Sequence, residues 1–290
     1  MIRRLFSLAW ISLTLVTCSQ TDDPEAESTL LKQGEIPPEL DEISGMVDFG
    51  GLLWCQNDGD NAPELIALNK VTLQIEKRLT VKNSENTDWE ELTQDEQHLY
   101  IGNFGNNLGD RQDLSVYIID KSDLQAAGDT ITPSGIIRFS YEDQTDLTPV
   151  EEFTTSFDCE AFISTGDSML LFTKDWATQK TAVYSLPASP GTYTARLRYR
   201  ADVGGLVTGA SWSAGTRELL LLGYTDYTPF LVVVSGFDPE NPVFRDSRKI
   251  RFAEFFGAQT EAICHAADGS VLISCETSPL IKATLYKARY

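Results

Sequence analysis

Short apolar runs alternate with polar, turn-forming segments along almost the entire chain. The runs are rich in Val, Ile, Leu, Thr and aromatic residues, and Asp, Asn, Gly, Pro and Ser separate them. Few segments show the apolar spacing of a helix over about ten or more positions. This pattern predicts an all-β fold, and a barrel, a sandwich or a propeller would each satisfy it.

A strand–turn–strand unit that recurs five times separates these alternatives. The second position of its first strand is a small or acidic residue, which is in turn Ser44, Glu90, Glu160, Gly209 and Glu261. These anchor positions are 46, 70, 49 and 52 residues apart, and two further β-type runs fit between one anchor and the next. Regular repeats of four short strands are typical of the blades of a β-propeller.

The last repeat lacks a fourth strand, because only the run 283–289 follows its first two strands. A spare run, 29–36, precedes the first anchor and would complete it. We therefore predict a β-propeller of four-stranded blades whose N-terminal strand closes the last blade, with five blades favoured and six as the alternative. The longest interval could hold part of a sixth blade, but its excess fits better in two loops, 121–132 and 142–157.

Acidic residues share one position in three of the repeats. The first strands of propeller blades line the central channel, so Glu90, Glu160 and Glu261 should face a common axial space. Asp88 and Asp158 precede two of them by two residues and should share their strand face. Further polar residues follow the second strands nearby: Asn57, Asp58, Asn103, Asn106, Asn107, Lys174 and Glu276.

Crowded carboxylates need a cation, a shared proton or cationic partners. Several oxygen ligands favour Ca²⁺, so we predict a metal site formed by Asp88, Glu90, Asp158, Glu160 and Glu261. Arg111 and Lys174 are the nearest counter-charges, and either could hold an anionic group of a substrate. In the alternative, the acids accept hydrogen bonds from backbone amides at the strand starts and only stabilise the blades.

The overall charge narrows the possible partners. The chain has 43 Asp and Glu against 23 Lys and Arg, a net charge of −20. Nucleic-acid binding is therefore disfavoured, because phosphate contacts require clustered cations. Cys55, Cys159, Cys264 and Cys275 match no zinc-binding spacing and should pack as small apolar residues.

The N-terminus has the pattern of an export signal. Two arginines precede an apolar segment, Leu5–Val16, which is too short to span a bilayer, and Cys18 follows. We predict a lipoprotein signal peptide at 1–17, a lipid anchor on Cys18, an acidic tether at 18–28 and a single propeller domain at 29–290. The alternative is an ordinary secretory signal. We expect a monomer in the cell envelope, attached to the outer membrane or cell surface.

The repeat motifs themselves resemble a known group. The chain reads EISG…LWCQND, DWEEL…LYIGNFGNN, DCEAF…LLFTKDW, VTGASWS and TEAICH…GSVLISCE between residues 42 and 276. These motifs resemble secreted bacterial propeller proteins of uncertain function that are similar to phytase-like and esterase-like propellers. The chain departs from that pattern at Asn103 and Ser211, where the group usually has aspartate, and each change removes a potential metal ligand.

The acids and the resemblance together suggest a calcium-dependent hydrolase of phosphoesters or other anionic esters, in which Glu90 or Glu160 acts as base. The alternative is a non-catalytic surface propeller that binds glycan or protein through loops bearing Trp176, Tyr224 and Tyr227.

Overall fold

The computed structural model describes residues 28–290. The predicted signal peptide, the lipid anchor on Cys18 and all but the last residue of the tether lie outside the described residues. Within the described part, no helix has the length and apolar character needed to cross a membrane.

Twenty-one strands form four sheets in this part of the chain. Twenty of them pair into five antiparallel units of four strands, and the short strand β9 pairs in parallel with the edge of the first unit. The strands are β1 (Thr29–Glu35), β2 (Ile43–Phe49), β3 (Leu52–Asn57), β4 (Glu64–Asn69), β5 (Ile75–Val81), β6 (Trp89–Gln94), β7 (His98–Asn103), β8 (Ser115–Asp120), β9 (Thr130–Ile131), β10 (Gly135–Tyr141), β11 (Cys159–Ser164), β12 (Ser168–Thr173), β13 (Thr181–Pro187), β14 (Gly191–Ala201), β15 (Leu206–Ser213), β16 (Glu218–Thr225), β17 (Thr228–Val234), β18 (Ser247–Arg251), β19 (Thr260–His265), β20 (Val271–Cys275) and β21 (Thr284–Arg289).

The first strands of the units close a ring. Strand β2 contacts β6, β6 contacts β11, β11 contacts β15, β15 contacts β19, and β19 returns to β2. Strand β1 pairs antiparallel with β21, so the N-terminal strand completes the last unit, as predicted. This arrangement is a β-propeller, and the predicted fold class is confirmed.

Two further pairings extend the units of four strands, and one of them corrects a predicted loop. Strand β14 begins at Gly191, and its first residues pair in parallel with β10, which joins the outer strands of the second and third units. The predicted loop 121–132 is wrong in detail, because it contains helix α1 (Lys121–Ala126) and the short strand β9, which pairs with β5. Both pairings satisfy the backbone of outer strands that would otherwise be exposed edges.

Apolar side chains fill the spaces between neighbouring units. One such cluster packs Phe104, Phe162 and Tyr184 between the second and third units. The four described cysteines are buried and free, as predicted. The packed sheets therefore give the inner strands rigid positions around the axis.

Candidate axial metal site

A β-bulge near the start of every inner strand aims side chains into the channel. The strand register shifts at Ile43/Gly45, Trp89/Leu92, Cys159/Ala161, Val207/Gly209 and Thr260/Ile263. The residues skipped by these shifts include Ser44, Glu90, Glu160, Thr208 and Glu261. A bulge re-aims a side chain out of simple alternation, which explains how residues far apart in sequence converge. In the fourth unit, the residue at the bulge is Thr208, not the predicted Gly209.

Two overlapping groups of carboxylates form at one end of the channel. Oxygen atoms of Asp58, Asp88 and Glu90 lie within 4.8 Å of one another, and so do those of Glu90, Asp158 and Glu160. Glu90 belongs to both groups. The structure thus brings together four of the five predicted metal ligands and adds Asp58.

A pocket of about 540 Å³ opens onto these groups. The predicted site residues that line it are Asn107, Lys174, Asp58, Glu90, Glu160, Glu261 and Glu276. Its outer wall is aromatic, with Phe153, Trp176, Tyr224 and Tyr227. The pocket therefore combines an acidic floor, one buried cation and an aromatic rim.

The surroundings of Glu90 fit a carboxylate that binds a metal better than one that only stabilises the fold. It is only 4% exposed, and its recorded hydrogen bonds within residues 28–290 run from Ser44 Oγ and Gln56 Nε2 to its backbone carbonyl, not to its carboxylate. A Cβ at Gly105 would lie 2.0 Å from Glu90 Oε1 and 2.4 Å from Asp88 Oδ2. Only glycine allows both carboxylates this close to the loop.

Asp158 is held differently. Its Oδ1 accepts a hydrogen bond from the Asn106 backbone N–H at 2.6 Å, and its Oδ2 accepts one from Trp176 Nε1 at 2.8 Å. The carboxylate is fully buried, and both of its oxygens are used. The alternative, in which the acids only stabilise the blades, therefore fits Asp158 and does not fit Glu90.

The far side of the pocket contains a second pair of acids. Glu261 is 4% exposed, and its Oε1 has no hydrogen-bond partner in the described structure. Glu276 Oε2 accepts a hydrogen bond from Gln259 Nε2 at 2.7 Å. A buried carboxylate oxygen without a partner is costly, so Glu261 is open to an additional ligand.

Lys174 is the only cationic side chain among the residues that line the described pocket. Its Nζ lies 3.1 Å from Glu160 Oε1, and both side chains are almost fully buried. The same ammonium lies 4.9 Å from the ring centre of Trp176 and 5.6 Å from that of Tyr224. One lysine pairs with one carboxylate, and within residues 28–290 Asp58, Asp88 and Glu90 have no ion-pair partner.

This imbalance shifts the proton affinities of the acids. Burial, followed by the charge of Asp58, raises the pKa of Asp88 to about 7. Burial also raises the pKa of Asp58 to about 6, against a hydrogen bond from Gly59. Burial and the nearby Asp58 and Glu160 carboxylates raise the pKa of Glu90 well above its usual value. Each of these acids therefore holds its proton to a higher pH than a solvated carboxyl group does, and a bound cation would oppose this shift.

Burial and neighbouring charges also shift the pKa values of the remaining acids and of Lys174. Burial raises the pKa of Glu261 to about 7 although Lys174 opposes the shift, and burial with the charge of Glu261 raises that of Glu276 to about 9. Burial also raises the pKa of Glu160 against the effect of Lys174. Burial alone would lower the pKa of Lys174, but the charges of Glu160 and Glu261 outweigh it and raise the pKa.

Arg111 lies behind the site instead of inside the pocket. Its Nη1 donates to the Gly105 carbonyl at 2.7 Å, and its Nε donates to Asp113 Oδ1 at 3.0 Å. Asn106 Oδ1 accepts from the Arg111 backbone N–H at 3.0 Å. Arg111 thus braces the glycine loop that contacts Glu90.

The two other predicted asparagines also support backbone. Asn103 Oδ1 accepts from the Asp88 backbone N–H at 3.0 Å, and Asn57 Nδ2 donates to the Glu39 carbonyl at 2.9 Å. The buried Oδ1 of Asn57 has no partner in the described structure.

Glu91 is a buried acid that the sequence analysis missed. It is fully buried, and its carboxylate accepts hydrogen bonds from the backbone N–H groups of Leu92 and Ala210 at 2.9 and 3.2 Å. Strict strand alternation places Glu91 on the face opposite Glu90. The register shift between Trp89 and Leu92 turns both glutamates inward. In the sequence, only the unusual pair of adjacent glutamates could have indicated that Glu91 is buried.

Comparison with known proteins supports the fold and no more. No protein-family model matches the chain, and no curated protein matches it in sequence. Among solved structures, the chain is similar to the glutaminyl cyclase of Myxococcus xanthus, with 11% identity, 90% of this chain and 96% of that chain covered, and a TM-score of 0.55. It is also similar to a glucose dehydrogenase, with 9% identity, 90% and 99% coverage, and a TM-score of 0.51. At such identities the likeness establishes a shared propeller-like fold and leaves the activity open.

Proposed function

We propose that the chain binds a divalent cation, Ca²⁺, in its axial pocket and hydrolyses phosphoesters or other anionic esters there. The main supporting observation is that Glu90 belongs to two carboxylate groups and that its carboxylate receives no hydrogen bond from residues 28–290. The donor set consists of carboxylate oxygens, which are ligands that Ca²⁺ prefers. The close approach of Gly105 to Glu90 fits the same ion, and the unpartnered Glu261 Oε1 lies outside both carboxylate groups.

The residues divide into ligands and a base. Asp58, Asp88 and Glu90 would hold the ion, which would neutralise the anionic ester and polarise its oxygen. Glu160, which lines the pocket and shares a carboxylate group with Glu90, would take the proton of the attacking water. Lys174 holds the Glu160 carboxylate at 3.1 Å and would face the ester's negative charge.

The test is hydrolysis of p-nitrophenyl phosphate and a panel of anionic esters with Ca²⁺ or with EDTA. We expect turnover only with Ca²⁺. Glu90→Gln should lose both Ca²⁺ binding and turnover. Glu160→Gln should keep Ca²⁺ binding and lose roughly 10²-fold or more in kcat. The matched control is Glu96→Gln, which changes an exposed carboxylate. Equal turnover in EDTA, or wild-type rates in both pocket variants, would refute the proposal.

The aromatic rim favours a second function. Trp176, Tyr224 and Tyr227, which the sequence analysis proposed as binding residues, line the same pocket. A non-catalytic glycan- or protein-binding propeller would use them as a stacking surface. It predicts saturable binding without turnover, binding that is insensitive to EDTA and is lost on Trp176→Ala. Ca²⁺-dependent turnover would exclude a purely non-catalytic role.

The envelope location is proposed from the N-terminal pattern alone. A lipid on Cys18 would anchor the propeller to a membrane surface. Cys18→Ser should then move the protein from the detergent phase to the aqueous phase. Wild-type protein already in the aqueous phase would instead indicate an ordinary secretory signal.

A further inference from the structure

A second, apolar groove of about 340 Å³ adjoins the axial pocket. Tyr224, Tyr227 and Gln259 line both spaces, so one molecule can enter both. The rest of the groove is formed by two loop segments, 256–258 and 278–280. Its exposed apolar side chains are Tyr227, Phe256 and Leu280, with 71%, 58% and 73% exposure.

The groove is built by specific contacts between its loops. The Gly257 N–H donates to the Tyr227 carbonyl at 2.8 Å, and Ser278 Oγ donates to the Gly257 carbonyl at 3.2 Å. A Cβ at Gly257 would lie 2.9 Å from Leu280 Cδ1, and Gly257 has a φ of +85°. Glycine therefore allows Leu280 to lie against the loop and close the groove on that side.

The wall shared with the axial pocket is also ordered. The Tyr224 and Tyr227 rings are parallel, with an interplanar angle of 1° and centroids 6.5 Å apart. Tyr224 also contacts Lys174, and Gln259 donates to Glu276. The polar floor and the apolar groove thus meet at these side chains, with charge on one side and apolar surface on the other.

We infer that the substrate is amphiphilic: an anionic ester whose head group enters the axial pocket and whose apolar alkyl or aryl arm lies in the groove of Tyr227, Phe256 and Leu280. This inference rests on the proposed function for the head group. Because the two spaces adjoin, one molecule with a polar and an apolar part can fill both. A compact polar ester would leave the groove exposed to water. Burying each methylene of the arm is favourable, and the gain corresponds to about fourfold in affinity.

The experiment measures both turnover and binding along a series of monoalkyl phosphates, from ethyl to butyl to hexyl, in the presence of Ca²⁺. Phosphate release gives kcat and KM, and calorimetry gives Kd. We expect KM and Kd to fall by about two- to fourfold per methylene until the groove is filled, with kcat little changed. Leu280→Ser and Phe256→Ser should flatten this dependence.

A matched control is Val71→Ser, which changes a residue that is 89% exposed. Val71 lies in the turn between β4 and β5, at the opposite end of the propeller from the pocket. This variant should keep the wild-type chain-length dependence.

The outcomes separate this inference from the function on which it rests. Turnover that does not depend on chain length would refute the role of the groove in substrate binding, and the hydrolase proposal would stand. Binding that strengthens with chain length and weakens in Leu280→Ser, without turnover, supports the groove and refutes the hydrolase. Hexyl phosphate that binds no more tightly than ethyl phosphate overturns the inference in either case.

Discussion

Replacing Glu90 with glutamine should stabilise the metal-free protein. The raised pKa of Glu90 means that the folded state holds a proton that the unfolded chain releases above about pH 4.5. The metal-free fold therefore loses stability as the pH rises above this value, until the pKa of the folded state is reached. Glutamine has nearly the same shape, carries no charge and removes this loss.

The size of the effect follows from proton linkage. Each pH unit over which only the folded state keeps the proton costs about 1.36 kcal/mol, so the window from about pH 4.5 to 7.5 sets a ceiling of about 4 kcal/mol. Neighbouring acids share protons with Glu90, so we expect about 1–3 kcal/mol near pH 7.5 and little change near pH 5. In a domain of this size, that gain raises Tm by roughly 2–10 °C.

The assay is thermal unfolding of wild type, Glu90→Gln and the control Glu96→Gln in EDTA, and again with about 1 mM Ca²⁺. The order of stability should reverse with Ca²⁺, because only proteins with an intact site gain from the ion. A lower Tm for Glu90→Gln in EDTA, or a difference that does not change with pH, would refute the reasoning. That result would make Glu90 a structural acid of the blade.

Three further outcomes are expected. Calcium affinity, measured by calorimetry between about pH 5 and 8, should rise with pH, because Asp58 and Asp88 have raised pKa values of about 6 and 7 and must lose protons to bind the ion; a flat profile would contradict this. Lys174→Met should lower Tm in EDTA by an amount equivalent to about 3–5 kcal/mol, because Glu160 loses its buried partner, and Ca²⁺ should restore more stability to this variant than to wild type; equal calcium gains would count against it. Glu91→Leu should cost about 2 kcal/mol or more in urea unfolding at any calcium concentration, because it leaves buried backbone N–H groups without acceptors; a neutral effect would refute that role.

The sequence repeat was sufficient to predict the ring. Equivalent positions in distant repeats must face one axis once the units close, so Glu90, Glu160 and Glu261 could be grouped before any coordinates. The N-terminal strand was also predictable, because the last repeat lacked one. Strand ends varied by a few residues, and the parallel pairing of β10 with β14 carries no local sequence signal.

The parts of the site that were missed depend on backbone irregularity and on loops. A bulge changes which residues face the channel, so the repeat marked Gly209 where the structure has Thr208, and strict alternation would direct Glu91 outward. The apolar groove combines Tyr227, Phe256 and Leu280 from separate connections. Their proximity follows from the closure of the ring, and nothing in their local sequence indicates it.

The most direct test is a crystal structure of residues 28–290 soaked with Ca²⁺ near pH 7.5. The proposal predicts one ion at the axial pocket, with carboxylate oxygens of Asp58, Asp88 and Glu90 at about 2.3–2.6 Å. Carboxylates that remain in place around water alone, with no ion at saturating Ca²⁺, would contradict it.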